Sequence, residues 1–176
     1  MINLNEIALK SFSEFVKLED FTEKYESYNE DKNTNQKTIQ NNIGKFFIDG
    51  TSPYFAYVYI LKMVNPNKID YSEKWQSETD ALKTPSVKKY ADWYRQGFLP
   101  FPIQTSKNKK GVDISANRRR LLAARVAKKK IPAFVEIGRY KDIVLAAKNN
   151  GAFDRYVKSG SITKNKVTRI LNSINK

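Results

Sequence analysis

The stretch ISANRRRLLAA, Ile114–Ala124, decides the fold because a strand ends and a helix begins within it. Residues 112–116 predict a short strand, and residues 117–130 have the composition of a helix. Asn117 stands at the junction, and asparagine adopts left-handed backbone angles more readily than most residues. We therefore expect a tight turn at Asn117, followed at once by the first turn of a helix.

Three arginines occupy that first turn, namely Arg118, Arg119 and Arg120. Free N–H groups and the positive end of the helix dipole already favour an anion there, and three cations oppose the dipole and one another. The pattern therefore predicts a phosphate site at Asn117, Arg118, Arg119 and Arg120. Arg119 should point over the sheet edge, in line with a buried stripe of Leu122, Ala123, Val126 and Ala127, whereas Arg118 and Arg125 share a more exposed face. The alternative is that Asp113 and Glu136 neutralise the arginines as structural ion pairs.

The flanking segments predict a small sheet around this junction. Thr84-Pro85 favours a helix start, and Gly97 favours its end. Residues 102–105 predict a strand, residues 106–111 a polar hairpin turn that leads to the strand at 112–116, and residues 132–137 a further strand.

The N-terminal 80 residues are acidic and predicted to be mainly helical. Amphipathic spacing predicts a helix over Ser11–Tyr28, and residues 38–47 also favour a helix. The apolar run Tyr54–Val64 predicts a strand, although a buried helix has the same pattern, and residues 68–72 favour a second short strand.

The expected fold class is α+β, a small mixed sheet with an N-terminal helical segment and short C-terminal helices. We predict three parts: residues 1–80, a core at 81–140, and basic helices at 141–176. Those helices are expected at 141–149, 152–158 and 164–174.

The charge is concentrated in the C-terminal part of the chain. The whole sequence has 32 basic and 18 acidic residues, net +14. Residues 1–80 hold 9 basic and 13 acidic residues, net −4, and residues 81–176 hold 23 and 5, net +18. Such a concentration favours a polyanionic partner, and DNA is the first candidate.

The chain has no cysteine and no histidine. Cysteine nucleophiles, zinc fingers and Ser-His-Asp catalysis are therefore excluded, and any acid–base chemistry falls to Asp, Glu, Lys or Tyr. The first residues have no basic stretch before an apolar core, so we expect no signal peptide and a cytoplasmic location. The longest apolar run is too short to span a bilayer, and no membrane partner is expected.

Three segments between residues 86 and 137 carry a family resemblance: QGFLPFPIQT, GVDISANRRRLLAARVAKKK and IPAFVEI. Together they resemble the ParB N-terminal/sulfiredoxin-like superfamily, which has a helix ending in Gly, a strand, a hairpin, an arginine-bearing junction, an alanine-rich helix and a second strand. The partition-protein motif is similar to Gly-Glu-Arg-Arg followed by Leu-x-Ala-Ala. Aligning its alanines with Ala123 and Ala124 puts Asn117 at the Gly, Arg118 at the Glu, and Arg119 and Arg120 at the paired arginines.

The resemblance implies a site for the phosphates of CTP or ATP, with Mg²⁺. Arg118 in place of Glu reverses a charge and puts nucleotide hydrolysis in doubt. Sulfiredoxin activity is excluded, because the catalytic Cys and the His of that motif have no counterpart here.

Whether the chain is an enzyme stays open at this point. Some members of the superfamily are nucleases and others are small-molecule kinases, and both activities need carboxylates that bind metal. Asp113 and Glu136 are the weak catalytic or Mg²⁺ candidates, with Asp142 as the third acid nearby. The alternative function is thus a metal-dependent nuclease or a nucleotide-using phosphotransferase on the same fold.

Three further basic clusters are candidates for contact with a nucleic-acid backbone. They are Lys107, Lys109 and Lys110 in the hairpin turn, Lys128, Lys129 and Lys130 at the end of the alanine-rich helix, and Lys164, Lys166 and Arg169 in a C-terminal segment similar to a helix-turn-helix. Amphipathic packing of that last segment is the alternative.

The leading prediction is a ParB-like DNA-binding protein with a phosphate or nucleotide site at Asn117–Arg120. A plasmid, phage or chromosomal-accessory origin is compatible with it, and so is a homodimer. The remaining alternative is an interaction protein whose charge targets an acidic protein partner.

Overall fold

A computed structural model describes residues 15–24, 36–50, 56–72 and 78–142. The helices are α1 (Leu18–Lys24), α2 (Gln36–Asn42), α3 (Glu78–Leu82), α4 (Pro85–Arg95) and α5 (Arg118–Ala127). The strands are β1 (Val16–Lys17), β2 (Phe46–Asp49), β3 (Tyr57–Val64), β4 (Asp70–Tyr71), β5 (Ile103–Gln104), β6 (Ser106–Lys107), β7 (Asp113–Ser115) and β8 (Ile131–Arg139). A 3-10 turn covers Pro66–Lys68.

The strands form two sheets. One has the order β1-β2-β3-β8-β5 and the other the order β4-β7-β6. Pairing is parallel for β1 with β2, for β5 with β8 and for β4 with β7, and antiparallel for β6 with β7. The predicted α+β class with a small mixed sheet is therefore confirmed.

The contacts of the chain group it into two compact units. The first contains Met1–Phe21, Phe46–Tyr59 and Ile137–Lys176, and the second contains Thr22–Lys45 and Ile60–Glu136. The three-part division at residues 80 and 140 stays a prediction. The C-terminal helices predicted from residue 143 onward lie outside the described residues.

In the first unit, aromatic rings make up much of the described core. Phe15 meets Phe46 and Tyr140 edge-on, with ring centroids 6.3 and 5.6 Å apart. Phe21 meets Phe47 in the same way at 5.3 Å. Edge-to-face contacts of this kind add to the free energy gained by burying the rings.

The predicted helix over Ser11–Tyr28 is wrong at its centre. Val16 and Lys17 pair with Phe47 and Ile48 of β2, so these two residues form a strand and the helix begins at Leu18. Residues 11–14 and 25–28 of that prediction lie outside the described residues.

The helix predicted at residues 38–47 is also wrong in its last part. Helix α2 ends at Asn42, and Gly44 takes φ +88°, a left-handed angle at which glycine lacks the strain of other residues. Phe46 and Phe47 then enter β2. By contrast, the strand predicted at 54–64 is confirmed over Tyr57–Val64, and its buried centre explains the continuous apolar run.

In the second unit, α4 packs along α5. Apolar positions repeat every three to four residues on α4, so that helix buries one face, whereas four consecutive buried residues on α5 leave only a narrow face exposed at Arg119 and Val126. The buried residues are Val87, Ala91 and Tyr94 on α4, and Leu121, Leu122, Ala123, Ala124 and Ala127 on α5. The prediction for Val126 is wrong, because its side chain is 36% exposed and Leu121 and Ala124 complete the buried face in its place.

Both predicted ends of α4 are confirmed. Thr84 is the N-cap residue and Pro85 the first helical residue, although the Thr84 side chain makes no capping hydrogen bond. At the other end, Gly97 has φ +92°. Helix α5 is shorter than predicted, since Lys128 adopts left-handed angles, φ 56° and ψ 40°, and ends it three residues early.

The hairpin before α5 differs from the predicted one. Ser106 and Lys107, predicted to lie in a turn, form β6, and β7 pairs with them. Strand β5 pairs instead with β8, with Ile103 opposite Ala133. The predicted strand at 68–72 is also shorter than expected, because a 3-10 turn occupies Pro66–Lys68 and only Asp70–Tyr71 are extended.

None of the helices described in the chain combines the length and apolar character that crossing a bilayer requires.

Candidate anion-binding site

The turn between β7 and α5 forms one wall of a cavity of about 580 Å³ in the second unit. Burial of Leu121, Leu122 and Ala123 fixes the rotation of α5, so its first turn faces the end of β7. The cavity-lining residues are Ala81, Thr84, Tyr90, Ala116, Asn117, Arg118, Arg119 and Arg120. The structure thus brings all four predicted phosphate-site residues to one cavity.

The first residues of α5 include no acid, and N–H groups in a first helical turn have no partner within the helix. The Arg118 N–H donates instead to the Ala116 carbonyl at 2.8 Å, just before the helix. The dipole and the three guanidinium groups therefore add up to a strongly positive wall.

The three arginines differ in what their side chains do. Arg120 Nη1 donates to the carbonyl oxygens of Phe101 and Pro102 at 2.7 and 3.2 Å, and its guanidinium lies 5.7 Å from the Phe101 ring centre. Arg118 is half-buried and Arg119 is exposed, so the prediction that Arg119 is the less exposed of the two is wrong. Within the described residues, the Arg119 guanidinium has no hydrogen-bond or ion-pair partner. Arg119 is therefore the arginine with the most donors left for a ligand.

Asn117 does not adopt the predicted left-handed conformation, since its angles are φ −79° and ψ 58°. Its side-chain Oδ1 accepts a 2.9 Å hydrogen bond from the Gln104 backbone N–H. Its own N–H donates to Ser115 Oγ at 3.2 Å, and its carbonyl accepts from Leu121 N–H at 3.1 Å. The turn is thus held by hydrogen bonds and not by a special backbone angle.

The alternative in which Asp113 and Glu136 neutralise the arginines is wrong. Asp113 Oδ1 lies 2.7 Å from Lys107 Nζ, an ion pair between half-buried side chains. Burial raises the pKa of the Glu136 carboxyl above its ordinary value; the backbone N–H and the charge of Lys107 lower it, and Asp113 raises it further. Both acids therefore interact with the hairpin lysine.

Asp113 and Glu136 are close enough for the charge of one to raise the pKa of the other, but the described part of the chain adds no third acid to them. No group of three acidic side chains there is close enough to hold a metal ion. Asp142, the third acid of the prediction, is buried in the first unit. The proposed roles of Asp113 and Glu136 in Mg²⁺ binding or catalysis stay predictions.

The predicted backbone-contact lysines fall into different environments. Lys107 is tied to Asp113, with only 19% of its side chain exposed. Lys109 and Lys110 are exposed on a turn in which Asn108 Oδ1 accepts from the N–H groups of Lys110 and Val112, both at 2.9 Å. Lys128, Lys129 and Lys130 are exposed after α5. Lys164, Lys166 and Arg169 lie outside the described residues.

Arg125 does not lie on the exposed face predicted for it. Its Nε donates to the Pro66 carbonyl at 3.2 Å, its Nη2 donates to the Ile69 carbonyl, and its guanidinium lies 4.6 Å from the Tyr71 ring centre. Arg125 thus fastens the 3-10 turn and β4 to α5.

Sequence reasoning missed Tyr90 as a site residue. Its position in the apolar stripe of α4 indicates core packing, but Tyr90 is only half-buried and lines the cavity, with its ring stacked on Tyr94 at a centroid distance of 6.3 Å. A tyrosine at the edge of a buried helix face, two turns from the helix start, is the only sequence signal for this role. Thr84, expected only as a cap, also lines the cavity.

No protein-family model, characterised protein or solved structure shows significant similarity to this chain. The resemblance to the ParB N-terminal/sulfiredoxin-like superfamily stays a prediction.

Proposed function

We propose that this chain is a ParB-like DNA-binding protein that holds the phosphates of a nucleotide in the cavity beside α5. The observation that carries the proposal is the cavity itself. It is about 580 Å³ in volume, and its wall contains the three arginines of the first helical turn. A volume of this order is within the usual range for small-molecule sites.

The electrostatics of the cavity favour a phosphate ligand. Arg119 is exposed and has no partner among the described residues, so its planar donor fork is free to bind two phosphate oxygens at once. The backbone N–H of Arg119, in the same helical turn, is a further donor for the same charge, because the N–H of Arg118 already donates to the Ala116 carbonyl at 2.8 Å. Phosphate is favoured over carboxylate because a polyphosphate matches several cations with one ligand.

Tyr90 favours a nucleotide over inorganic phosphate. Its aromatic ring is half-buried in the cavity wall and gives an otherwise cationic site an apolar surface. A base packs well against such a ring, and stacking of this kind contributes about 1–3 kcal/mol per base. CTP and ATP with Mg²⁺ are therefore the first ligands to test.

The charge distribution supports DNA as the macromolecular partner. Residues 81–176 carry net +18, and the exposed lysines of the hairpin turn and of the segment after α5 belong to this part. Lysines on a surface turn contact phosphates without reading bases, so we expect binding with little sequence preference from these residues.

A nucleotide screen by thermal denaturation tests the proposal. CTP or ATP with Mg²⁺ should raise the melting temperature of the protein, and Arg119→Ala should abolish the rise. Arg95→Ala is the matched control, because Arg95 is an exposed arginine of the same unit that lies outside the cavity. A rise that is equal in Arg119→Ala and in the wild type would show that the ligand binds elsewhere.

A further inference from the structure

A closed ring of three hydrogen bonds lies immediately before α5. The Gln104 N–H donates to Asn117 Oδ1 at 2.9 Å, the Ser115 hydroxyl donates to the Gln104 carbonyl at 2.7 Å, and the Asn117 N–H donates to Ser115 Oγ at 3.2 Å. Each residue both donates to and accepts from another member. Ser115 is 2% exposed, so its hydroxyl is shielded from water and its bonds gain strength from that burial, whereas the bond between Gln104 and Asn117 is exposed.

The ring joins strand β5 to the turn that begins α5. Gln104 lies opposite Phe134 in the register of β5 with β8, so the turn is connected through Gln104 to the larger sheet. Asn117 uses its N–H, its carbonyl and its Oδ1 in this arrangement. The side chains of Ser115 and Asn117 therefore help to fix the turn before α5, together with the backbone bond from the Arg118 N–H to the Ala116 carbonyl.

We propose that Ser115 and Asn117 are positioning residues of the anion site, and that the anion itself is bound by the side chains of Arg118 and Arg119 and by the backbone N–H of Arg119. This assignment rests on the proposed function, because it takes the cavity to be a phosphate site. It differs from the sequence prediction, in which Asn117 is a ligand of the phosphate. Ser115 does not line the cavity, so its effect on a ligand has to pass through the turn.

The physical reason is pre-organisation of the donors. A ligand that must order a loose turn loses affinity by the free energy of that ordering, whereas a turn fixed beforehand has no such cost. Removing the Ser115 hydroxyl breaks two bonds of the ring and leaves the Gln104 carbonyl without its hydroxyl donor. We expect a loss of about tenfold in affinity for the anion.

The test uses the full chain and inorganic tripolyphosphate as the probe. Ser115→Ala should weaken tripolyphosphate binding about tenfold in titration calorimetry and should speed hydrogen exchange of the Gln104 amide in the free protein. Ser115→Thr keeps the hydroxyl and should restore both. Asn117→Ala is the second variant, because it removes the other side chain of the ring.

Thr105→Val is the matched control. Thr105 is 1% exposed, and its Oγ1 accepts from Glu136 N–H at 3.3 Å and lies 3.5 Å from the Phe134 carbonyl, outside the ring. Thr105→Val should lower the melting temperature as Ser115→Ala does, because each variant removes one buried hydroxyl. Thr105→Val should nevertheless leave the affinity for tripolyphosphate within about twofold of the wild-type value. A purely structural role for Ser115 predicts that the two variants behave alike.

The outcomes separate the positioning role from the site itself. Wild-type protein that binds tripolyphosphate, together with Ser115→Ala and Asn117→Ala variants that bind it equally well, would overturn the positioning role alone. Wild-type protein that binds none of tripolyphosphate, CTP and ATP would overturn the anion site and the positioning role together. If only a nucleotide binds, the same variants are titrated with that nucleotide, and the same comparison decides the positioning role.

Discussion

At the scale of single residues, the three adjacent arginines make different contacts. Arg120 binds the carbonyls of Phe101 and Pro102, and its guanidinium is part of what holds the segment before β5. Arg119 is exposed and has no partner in the described part of the chain. Sequence alone cannot separate them, because the carbonyls that Arg120 binds are brought to it only by the tertiary fold.

Substitution of each arginine should therefore have a different effect on stability. Arg120→Ala should lower the free energy of unfolding by about 1.5–3 kcal/mol, because hydrogen bonds from a charged donor to half-buried carbonyls are lost. Arg119→Ala should change it by less than about 0.5 kcal/mol, as for an ordinary surface site. Urea denaturation of both variants measures the difference, and equal losses would contradict this prediction.

Glu136 gives a residue-scale prediction about pH. Its pKa is raised in the fold, mainly by burial, so the folded state binds its proton more tightly than the unfolded state. Stability must then fall as pH rises through the window that begins at the ordinary glutamate pKa of about 4.5 and extends to the raised value. Glu136→Gln should remove this contribution to the pH dependence of the free energy of unfolding.

The measurement for Glu136 is the free energy of unfolding of wild type and Glu136→Gln at pH 4 and pH 7. Relative to the wild type, Glu136→Gln should have a higher free energy of unfolding at pH 7 than it has at pH 4. Thr105→Val, which alters a neighbouring contact but no charge, should show no such trend. A shift in the opposite direction would mean that attraction to Lys107 outweighs burial.

At the scale of elements, the segments with strong local patterns were predictable. The stripe of α4 and the apolar run of β3 bury the face or faces that their spacing indicates, whereas on α5 Val126 is exposed and Leu121 and Ala124 are buried. Strands β1 and β6 were missed because each has two residues, too few to show alternation, and exists through pairing with a distant or later strand. Strand β2 was missed because Phe46 and Phe47 also extend the helical pattern before them.

Four residues of the candidate site were predictable from the sequence, but the role of each residue was not. The position of Asn117 and three arginines at a helix start follows from the sequence, whereas the cavity depends on where α4 packs. Tyr90 and Ser115 have unremarkable sequence surroundings, and their importance comes from contacts that only the fold creates.

The C-terminus of α5 gives a prediction at the element scale. Lys128 adopts left-handed angles, which cost a non-glycine residue about 1–2 kcal/mol. Lys128→Gly should therefore raise the free energy of unfolding by about 0.5–1 kcal/mol, after the greater flexibility of glycine in the unfolded chain is deducted. Lys129→Gly, one residue further on and without a positive φ, is the control and should not stabilise. Thermal or urea denaturation decides between them.

At the scale of the whole molecule, charge is the dominant feature. The net charge is −4 in residues 1–80 and +18 in residues 81–176, a distribution that favours a polyanionic partner. The exposed lysines of the hairpin turn add to this charge without compensating acids in the turn, since Asp113 pairs with Lys107.

Binding to duplex DNA should consequently weaken steeply with salt, with a log–log slope of about one unit per phosphate contact. The double variant Lys109→Ala/Lys110→Ala should reduce that slope by about one to two units. The control is Lys37→Ala/Lys45→Ala, which removes two exposed lysines from the acidic part of the sequence. Fluorescence anisotropy between 50 and 300 mM salt, about the range where screening changes most, gives the slopes. Equal slopes for the two double variants would exclude the hairpin turn from the DNA contact.

The central claim is that the cavity beside α5 binds a phosphate-bearing anion. Calorimetric titration of CTP with Mg²⁺ into the wild type and into Arg119→Ala tests this claim most directly. ATP and tripolyphosphate are titrated in parallel. We predict binding of at least one of the three by the wild type and by Arg95→Ala, and a loss of about tenfold to a hundredfold in Arg119→Ala, as expected for a charged hydrogen bond. No binding of any of the three by the wild type, or equal binding by Arg119→Ala, would contradict the claim.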